Sequence, residues 1–153
     1  MLEKDIQTSF TKHIIPIRLK LFDVLNEFYS YAFELKICKE NRFSFDRVAE
    51  HQIEALKAVE LDGIYHKISD SPIFAGMKTR FTSQKPFDCF ILKGVGLIVI
   101  CWYKERSLKE LHFIRVFDFE QKKKTSKMKS MTYEESKEIS ILTYNLNVAK
   151  KNK

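Results

Sequence analysis

Residues 31–38 read Tyr-Ala-Phe-Glu-Leu-Lys-Ile-Cys, and the predicted fold is built outward from this stretch. Large apolar side chains recur at every second position from Tyr31 to Ile37, which is the period of a β-strand. The other face of that strand carries Glu34 and Lys36, about 7 Å apart, because residues two apart point the same way. Alternating charges of this kind often just face water on an edge strand. Whether Glu34 and Lys36 have a function therefore has to be judged from the rest of the chain.

Length and composition predict one domain, residues 1–153, with a buried core: 44% of the 153 residues are hydrophobic. We expect residues 150–153 to be frayed. The net charge of +7 suits a polyanionic partner without identifying one. The longest apolar run, residues 95–103, is too short to span a bilayer, so no membrane partner is expected.

Cysteine usage predicts the compartment. The three cysteines are odd in number and widely spaced, which fits neither a disulfide framework nor a zinc site. No charged leader with an apolar core opens the chain. A reducing cytoplasm is therefore the predicted location.

Helical patterns flank the strand on both sides. Residues 3–15 have apolar side chains at helical spacing, and Pro16 is expected to end that helix. Residues 17–29 fit a strand or a helix, and we favour the helix. After a polar loop anchored by Phe43 and Phe45, residues 49–61 form the clearest helix of the sequence.

That helix is predicted to begin near Asp46 as N-cap and to end at Gly63. Gln52 lies on its apolar stripe, where an amide without partners costs about 1–3 kcal/mol. Either Gln52 caps a neighbouring strand, or it belongs to a functional site.

Strand patterns dominate the second half of the chain. Residues 64–69 are predicted as a strand, and residues 70–86 as a long loop of the kind that is usually functional. An antiparallel meander is expected next, with strands at 87–92, 97–103 and 111–117. A basic loop at 121–130 would lead into a last helix, which begins with a capping box of Thr132 and Glu135 and runs to about residue 148. This order predicts an α/β fold with a mixed sheet of four or five strands and residues 31–38 at its centre.

Three short motifs in sequence carry a resemblance to a known family. Glu-Leu-Lys at 34–36 is followed by Phe-Ser-Phe at 43–45 and Glu-His-Gln-Ile at 50–53. Over residues 31–68 this order resembles the core of the RecU-type Holliday junction resolvases, which belong to the PD-(D/E)XK nuclease superfamily. The resemblance implies a restriction-endonuclease-like sheet flanked by helices. It also implies a homodimer that cuts branched DNA with Mg²⁺, or with Mn²⁺ as a substitute.

Metal-dependent phosphodiester hydrolysis gives the motif residues chemical roles. Mg²⁺ prefers oxygen ligands, and Glu34 supplies a carboxylate. Lys36, on the same strand face, would hold the attacking water and stabilise the developing charge. Gln52 would orient the site, and the resemblance adds the backbone carbonyl of Leu35 as a metal ligand.

The resemblance leaves the second carboxylate open. Superfamily members usually carry an aspartate about a dozen residues before Glu-x-Lys, and Asp23 stands there, in surroundings that read poorly as a strand. Asp88 is the alternative that we prefer, since it lies on an otherwise apolar strand face where an unpaired carboxylate is costly. Glu3 on the first helix is a further candidate.

Basic residues in the two long loops are the expected DNA contacts. They are Lys78, Arg80, Lys85, Lys122, Lys123 and Lys124. A solvated charge run is the alternative for the last three. Two other functions stay open for the chain as a whole: a nuclease fold that binds nucleic acid without cutting it, and an unrelated α/β interaction protein.

Overall fold

The computed structural model describes residues 3–27, 29–67 and 89–146, without the side chains of residues 3 and 108. The described part contains five α-helices, α1 to α5 in chain order: Glu3–Lys12, Ile14–Leu25, Glu50–Asp62, Val116–Thr125 and Tyr133–Glu138. It contains eight strands, β1 to β8: Ser30–Cys38, Arg42–Ser44, Ile64–Lys67, Cys89–Leu92, Gly94–Lys104, Leu108–Arg115, Ser130–Thr132 and Leu142–Asn145. A 3₁₀ turn spans Phe45–Arg47.

Four of the strands form a mixed sheet in the order β1-β5-β6-β8. β1 and β5 are parallel, while β5–β6 and β6–β8 are antiparallel. Helices cover both faces: α1 and α2 pack on one, and α3, α4 and α5 on the other. The predicted α/β fold with a mixed sheet flanked by helices is confirmed. Within the described residues, no helix has the length and apolar character needed to cross a membrane.

β5 is the core strand because it is apolar on both faces. Its residues from Gly94 to Trp102 are all buried. Ile98, Ile100 and Trp102 face the α3 side, while the alternate side chains face α1 and α2. A strand buried on both faces reads as a continuous apolar run. The register then fixes the position of the charged pair, because Glu34 lies beside Ile98 and Lys36 beside Ile100.

The prediction that residues 31–38 lie at the centre of the sheet is wrong, since β1 is at one end of the described sheet. The physical reason is that β3 and β4 pair antiparallel with each other in a separate two-stranded sheet. Neither strand therefore adds to the other edge of β1, and β4 forms no hairpin with β5. The predicted three-stranded meander is therefore reduced to β5 and β6.

The N-terminal helix breaks earlier than expected. α1 ends at Lys12 and α2 begins at Ile14, so Pro16 lies in the first turn of α2 rather than after the helix. A proline ring clashes with the carbonyl four residues before it, here that of Lys12, which is why the first helix cannot run on. The helical interpretation of residues 17–29 is confirmed from Ile17 to Leu25.

α3 is confirmed as a helix, with a different start. Ala49 in extended conformation is its N-cap, and Asp46 lies in the preceding 3₁₀ turn, so the predicted cap is wrong. The side chain of Gln52 replaces it, because its Oε1 accepts the Ala49 N–H at 3.0 Å. Gly63 ends the helix as predicted, with φ of 79°, a value that favours glycine.

Two predictions for the C-terminal third are wrong. Residues 121–125 belong to α4, which buries Val116 and Phe119 three residues apart and is therefore held on the sheet. The Thr132–Glu135 capping box is confirmed. Its helix, however, ends at Glu138, and residues 142–145 pair with β6 as a strand, since alternate side chains there reach the α1–α2 face of the core.

Close contact between α3 and β5 depends on glycine. A Cβ at position 96 would overlap the carbonyl oxygen of Leu56 on α3. The Gly96 N–H also donates to Glu60 Oε1 at 3.3 Å, and Arg115 Nη2 donates to Glu60 Oε2 at 2.8 Å. These contacts fix the distance between α3 and the sheet, and they therefore also fix the position of Gln52.

We therefore expect Gly96→Ala to destabilise the protein by about 1–3 kcal/mol, the usual range for overpacking a core. Urea unfolding measures the change. Ser107→Ala, in the exposed turn after β5, is the control and should leave the midpoint unchanged. Equal stability of Gly96→Ala and wild type would contradict the described approach of α3.

Candidate active site

The structure brings Glu34, Lys36 and Gln52 together on the α3 side of the sheet. Lys36 Nζ lies 2.8 Å from Glu34 Oε1, and Gln52 Nε2 donates to the same oxygen at 2.8 Å. The Lys36 and Glu34 side chains are 19% and 25% exposed, so the pair is shielded but still open to solvent. Three residues that the sequence singled out thus form one hydrogen-bonded unit, although Glu34 and Gln52 are 18 positions apart in the chain.

Gln52 joins two elements through the oxygen and the nitrogen of its side-chain amide. Its oxygen accepts from Ala49 at the start of α3, and its nitrogen donates to Glu34 on β1. The amide orientation is therefore fixed at both ends, which accounts for a polar group on the apolar stripe of α3. The sequence predicts that Gln52 either caps a neighbouring strand or belongs to a functional site. It does act as a cap, but of its own helix, and its bond to Glu34 makes it part of the candidate site.

The Glu34 carboxylate uses one oxygen for these contacts. Lys36 and Gln52 both bind Oε1. Oε2 has no hydrogen bond or ion pair to any residue in the described part of the chain. A carboxylate held in place through one oxygen, with the other oriented by that bond and without a partner among the described residues, is suited to bind a hard cation or a water molecule.

Of the four remaining candidate metal ligands, the structure describes Leu35 and Asp23. Leu35 lies between Glu34 and Lys36 on β1, with its side chain on the opposite face. Asp23 is exposed on α2, the helical layer that covers the other face of the sheet, so the structure does not place it with Glu34. Asp88, the preferred second carboxylate, lies outside the described residues, and so does the side chain of Glu3.

Of the six predicted DNA contacts, three lie among the described residues. Lys78, Arg80 and Lys85 lie outside the described residues. The other three are in the last turns of α4, not in a loop, and each is ion-paired: Lys122 with Glu135 at 3.0 Å, Lys123 with Glu50 at 3.3 Å and Lys124 with Glu120 at 3.1 Å. Their charge is therefore partly neutralised within the protein.

An acidic cluster lies on the outer side of α3 and α4. Carboxylate oxygens of Glu50, Glu54 and Glu120 are within 4.8 Å of one another. Lys57 contacts both Glu54 and Glu120 at 3.1 Å. Hydrogen bonds from Lys124 and Lys57 lower the pKa of Glu120. Lysines thus already compensate the charge of this cluster.

Sequence reasoning missed a buried polar network beneath α5. The Trp102 indole N–H donates to Ser136 Oγ at 2.8 Å, and Ser136 Oγ also contacts His112 Nδ1. His112 Nε2 lies 3.0 Å from Glu110 Oε1, which accepts from the Tyr133 hydroxyl at 2.8 Å. Alternation on β6 could have suggested that His112 faces inward with Ile114, but no local signal indicates Ser136 as its partner.

Two partners in this network have fixed roles. The Trp102 indole N–H can only donate to Ser136 Oγ, and the Glu110 carboxylate can only accept, so His112 Nε2 carries a proton. In the neutral imidazole, Nδ1 then accepts the hydroxyl proton of Ser136. Burial lowers the pKa of His112, against the opposing effect of its hydrogen bond to Glu110. Both His112 and Ser136 are fully buried, so we assign the network to holding α5 on the sheet.

Substitution of Gln52 tests the bridge between α3 and β1. Gln52→Ala removes a cap and a partner of Glu34, and should cost about 1–2 kcal/mol of unfolding free energy. Gln52→Glu keeps the acceptor for Ala49 but sets a second carboxylate against Glu34, so its destabilisation should be partly relieved on acidification. Urea unfolding measures both, with His51→Ala as the control. Wild-type stability of both Gln52 variants would show that the bridge does not form.

The lowered pKa of His112 predicts a pH-dependent stability. Below the ordinary value of 6.5, the unfolded chain binds a proton at this histidine that the folded protein does not. The free energy of unfolding should therefore fall between about pH 6.5 and pH 5, by at most about 1.4 kcal/mol per pH unit. His112→Asn should flatten this dependence and exposed His51→Asn should not. The same slope in all three proteins would refute the assignment.

Comparisons with known proteins add no identification. The chain matches no protein-family model, no curated protein and no solved structure. What can be said of its function therefore rests on its own residues and their geometry.

Proposed function

We propose that the protein is a metal-dependent DNA endonuclease that acts on branched DNA, as its resemblance to the RecU-type resolvases implies. The observation that carries the proposal is the unit of Glu34, Lys36 and Gln52. The three residues occupy the motif positions of the resemblance, and they meet in space although they come from a strand and a separate helix. An ion pair that is only a solvated surface feature would not require a hydrogen bond from the amide of Gln52.

Mg²⁺ fits the donors that this site offers. Glu34 Oε2 would hold the ion together with the backbone carbonyl of Leu35, and Asp88 is the second carboxylate that we prefer from the sequence. Mn²⁺ should substitute, since it accepts the same oxygen ligands. When bound, such an ion neutralises developing phosphate charge and lowers the pKa of water.

The protein's own residues supply orientation and charge. Lys36 lies next to Glu34 and would stabilise the negative charge that builds up on the phosphate while a water oxygen replaces the leaving sugar oxygen. Gln52 keeps the Glu34 carboxylate in one orientation, so it is a positioning residue. Both functions need the fixed distance between β1 and α3.

DNA is proposed as the partner on the basis of charge. The chain carries a net charge of +7. Lys127 and Lys129, just after α4, are exposed and form no ion pair with any residue of the described part, so they are better phosphate contacts than the paired lysines of α4. Symmetric cutting of a junction implies a two-fold homodimer. A cytoplasmic location belongs to the same proposal.

A second candidate is a nuclease fold that binds DNA without cutting it. Two observations favour it. Lys36 is paired directly with Glu34, and among the described residues Glu34 belongs to no group of three metal-binding side chains. In this case the pair would be a structural element of β1.

Cleavage assays on a four-way junction decide between the two. We expect cutting that requires Mg²⁺ or Mn²⁺, and a fall in rate of at least about 100-fold in Glu34→Gln and in Lys36→Ala, as for loss of one transition-state contact. Glu54→Gln, in the acidic cluster of α3, is the matched control and should cut like wild type.

Folding and binding controls accompany the assay. Unfolding curves verify that the variants are native, and gel shifts in EDTA measure junction binding without cleavage. Junction binding by all proteins with no cutting by wild type would support the second candidate. Equal cutting by wild type and both site variants, or cutting in excess EDTA, would reject the proposed site.

A further inference from the structure

The helix α2 has more apolar surface than the core of the protein covers. Most of its 12 residues are aliphatic or aromatic, yet within this helix only Ile17 and Leu21 are buried. Ile15 and Leu19 are 70% and 60% exposed, and Phe22 is half-buried. A helix that is apolar on most of its circumference is normally covered on more than one side. A second side of α2 is therefore suited to a partner.

These three outward residues of α2 form one narrow stripe. At about 100° per residue, Ile15, Leu19 and Phe22 point within about 60° of one another. Their spacing of four and then three residues is that of the seam between two helices of a coiled coil. Ile17 and Leu21, which hold α2 on the sheet, lie on another side of the helix. The stripe therefore faces outward while α2 stays packed.

A groove of about 150 Å³ lies beside the stripe. It is lined by Ile15, Arg18, Leu19, Phe22 and Tyr31, so it is formed between α2 and the start of β1. Protruding side chains and a groove are thus neighbours on one surface. A second copy related by a two-fold axis can place its protruding side chains at this groove, and the same holds in reverse. One surface can then serve both partners.

Two charged residues flank the stripe, one on each side. Arg18 and Asp23 are exposed, and neither forms an ion pair with any residue in the described part of the chain. When two copies of α2 pack parallel about a two-fold axis, Arg18 of one copy faces Asp23 of the other, as at the edges of a parallel coiled-coil seam. Antiparallel packing would instead bring like charges together on each side of the seam.

We propose that α2 is a homodimer interface, in which the stripes of two copies pack parallel and two Arg18–Asp23 ion pairs join the copies. Charge complementarity favours a second copy over a different protein, because this chain carries both members of the pair at the matching spacing. Asp23 then acts at the dimer interface and not at the metal site. Three apolar layers make a short seam, so we expect a reversible dimer and not an obligate one.

The proposed interface and the candidate active site lie on opposite faces of the sheet. Tyr31, at the groove, packs on the α1–α2 face, whereas Glu34, three residues further along β1, is bound by Gln52 on the α3 face. Dimerisation through α2 therefore leaves the face with Glu34 and Lys36 uncovered, with two such sites in one assembly. The interface itself does not rest on the proposed function, but its use in symmetric cutting does.

Sedimentation equilibrium of the full chain, in EDTA and without DNA, measures the dimer directly. We expect a monomer–dimer equilibrium for wild type. Leu19→Glu should raise the dissociation constant at least about 30-fold, as for the loss of an interface hot spot. Val24→Glu is the matched control, since Val24 is 48% exposed on α2 but lies away from the stripe, and it should leave the dissociation constant unchanged. Urea unfolding verifies that both variants are folded.

Exchange of the two charges tests the ion pairs. Arg18→Asp and Asp23→Arg each set like charges against each other across the seam, so each should weaken the dimer at least about 10-fold. The double variant Arg18→Asp/Asp23→Arg should recover wild-type dimerisation. An equimolar mixture of the two single variants should recover it as well, because each copy then meets the opposite charge.

The possible outcomes separate this inference from the proposed function. A dimer with these properties in a protein that cuts no junction would refute the nuclease and keep the interface. A protein that stays monomeric at every concentration would overturn the interface and leave the stripe to a different kind of partner, whether or not it cuts DNA. Wild-type dimerisation of Leu19→Glu, or of both single charge variants, would overturn the interface as well.

Discussion

Parallel pairing of β1 with β5 is the constraint on which the rest of the structure depends. Parallel neighbours cannot be joined by a tight hairpin, so the chain between them must cross one face of the sheet. α3 lies in this connection and packs on the face that carries Glu34 and Lys36. Its close approach requires Gly96 on β5, where a side chain would overlap the helix backbone. The polar unit of the candidate site is thus a consequence of how the core is built.

The local part of this arrangement can be predicted from the sequence. Period-two alternation places Glu34 and Lys36 on one strand face, and the helical period places Gln52 inward on α3. Both inferences need only the geometry of a single element. Their meeting in space is expected only from the resemblance, since hydrophobic periodicity gives no information on which helix covers which strand face.

The parts that could not be predicted depend on tertiary pairing. Residues 89–92 have the apolar pattern of a meander strand, yet they pair with β3, which leaves β1 at the end of the described sheet. The sequence predicts that residues 142–145 continue the last helix. Instead they pair with the edge of β6 and pack alternate side chains against the apolar core. Residues 121–125 read as a basic loop, but they belong to α4, and the partners of Lys122 and Lys123 lie 13 and 73 positions away in the chain. In each case a contact between distant segments overrides the local preference.

Two groups of carboxylates in this protein differ in the charge that surrounds them. Glu50, Glu54 and Glu120 form a cluster whose members contact lysines on α3 and α4, so their charge is compensated from within the protein. Glu34 is bound through one oxygen only, and its second oxygen has no partner in the described structure. The number of carboxylates alone would favour a cation at the acidic cluster, but the neighbouring lysines offset their charge. We propose Glu34 as the cation ligand instead, because its carboxylate is oriented in advance and its second oxygen has no partner among the described residues.

Titration calorimetry with Mn²⁺ tests this central claim most directly. The full chain is compared with Glu34→Gln and with Glu120→Gln, each verified as folded by its unfolding curve. We predict that wild type and Glu120→Gln bind the ion with the same affinity, and that Glu34→Gln loses this binding. Undiminished Mn²⁺ binding by Glu34→Gln, together with its loss in Glu120→Gln, would move the metal site to the acidic cluster and contradict the assignment to Glu34.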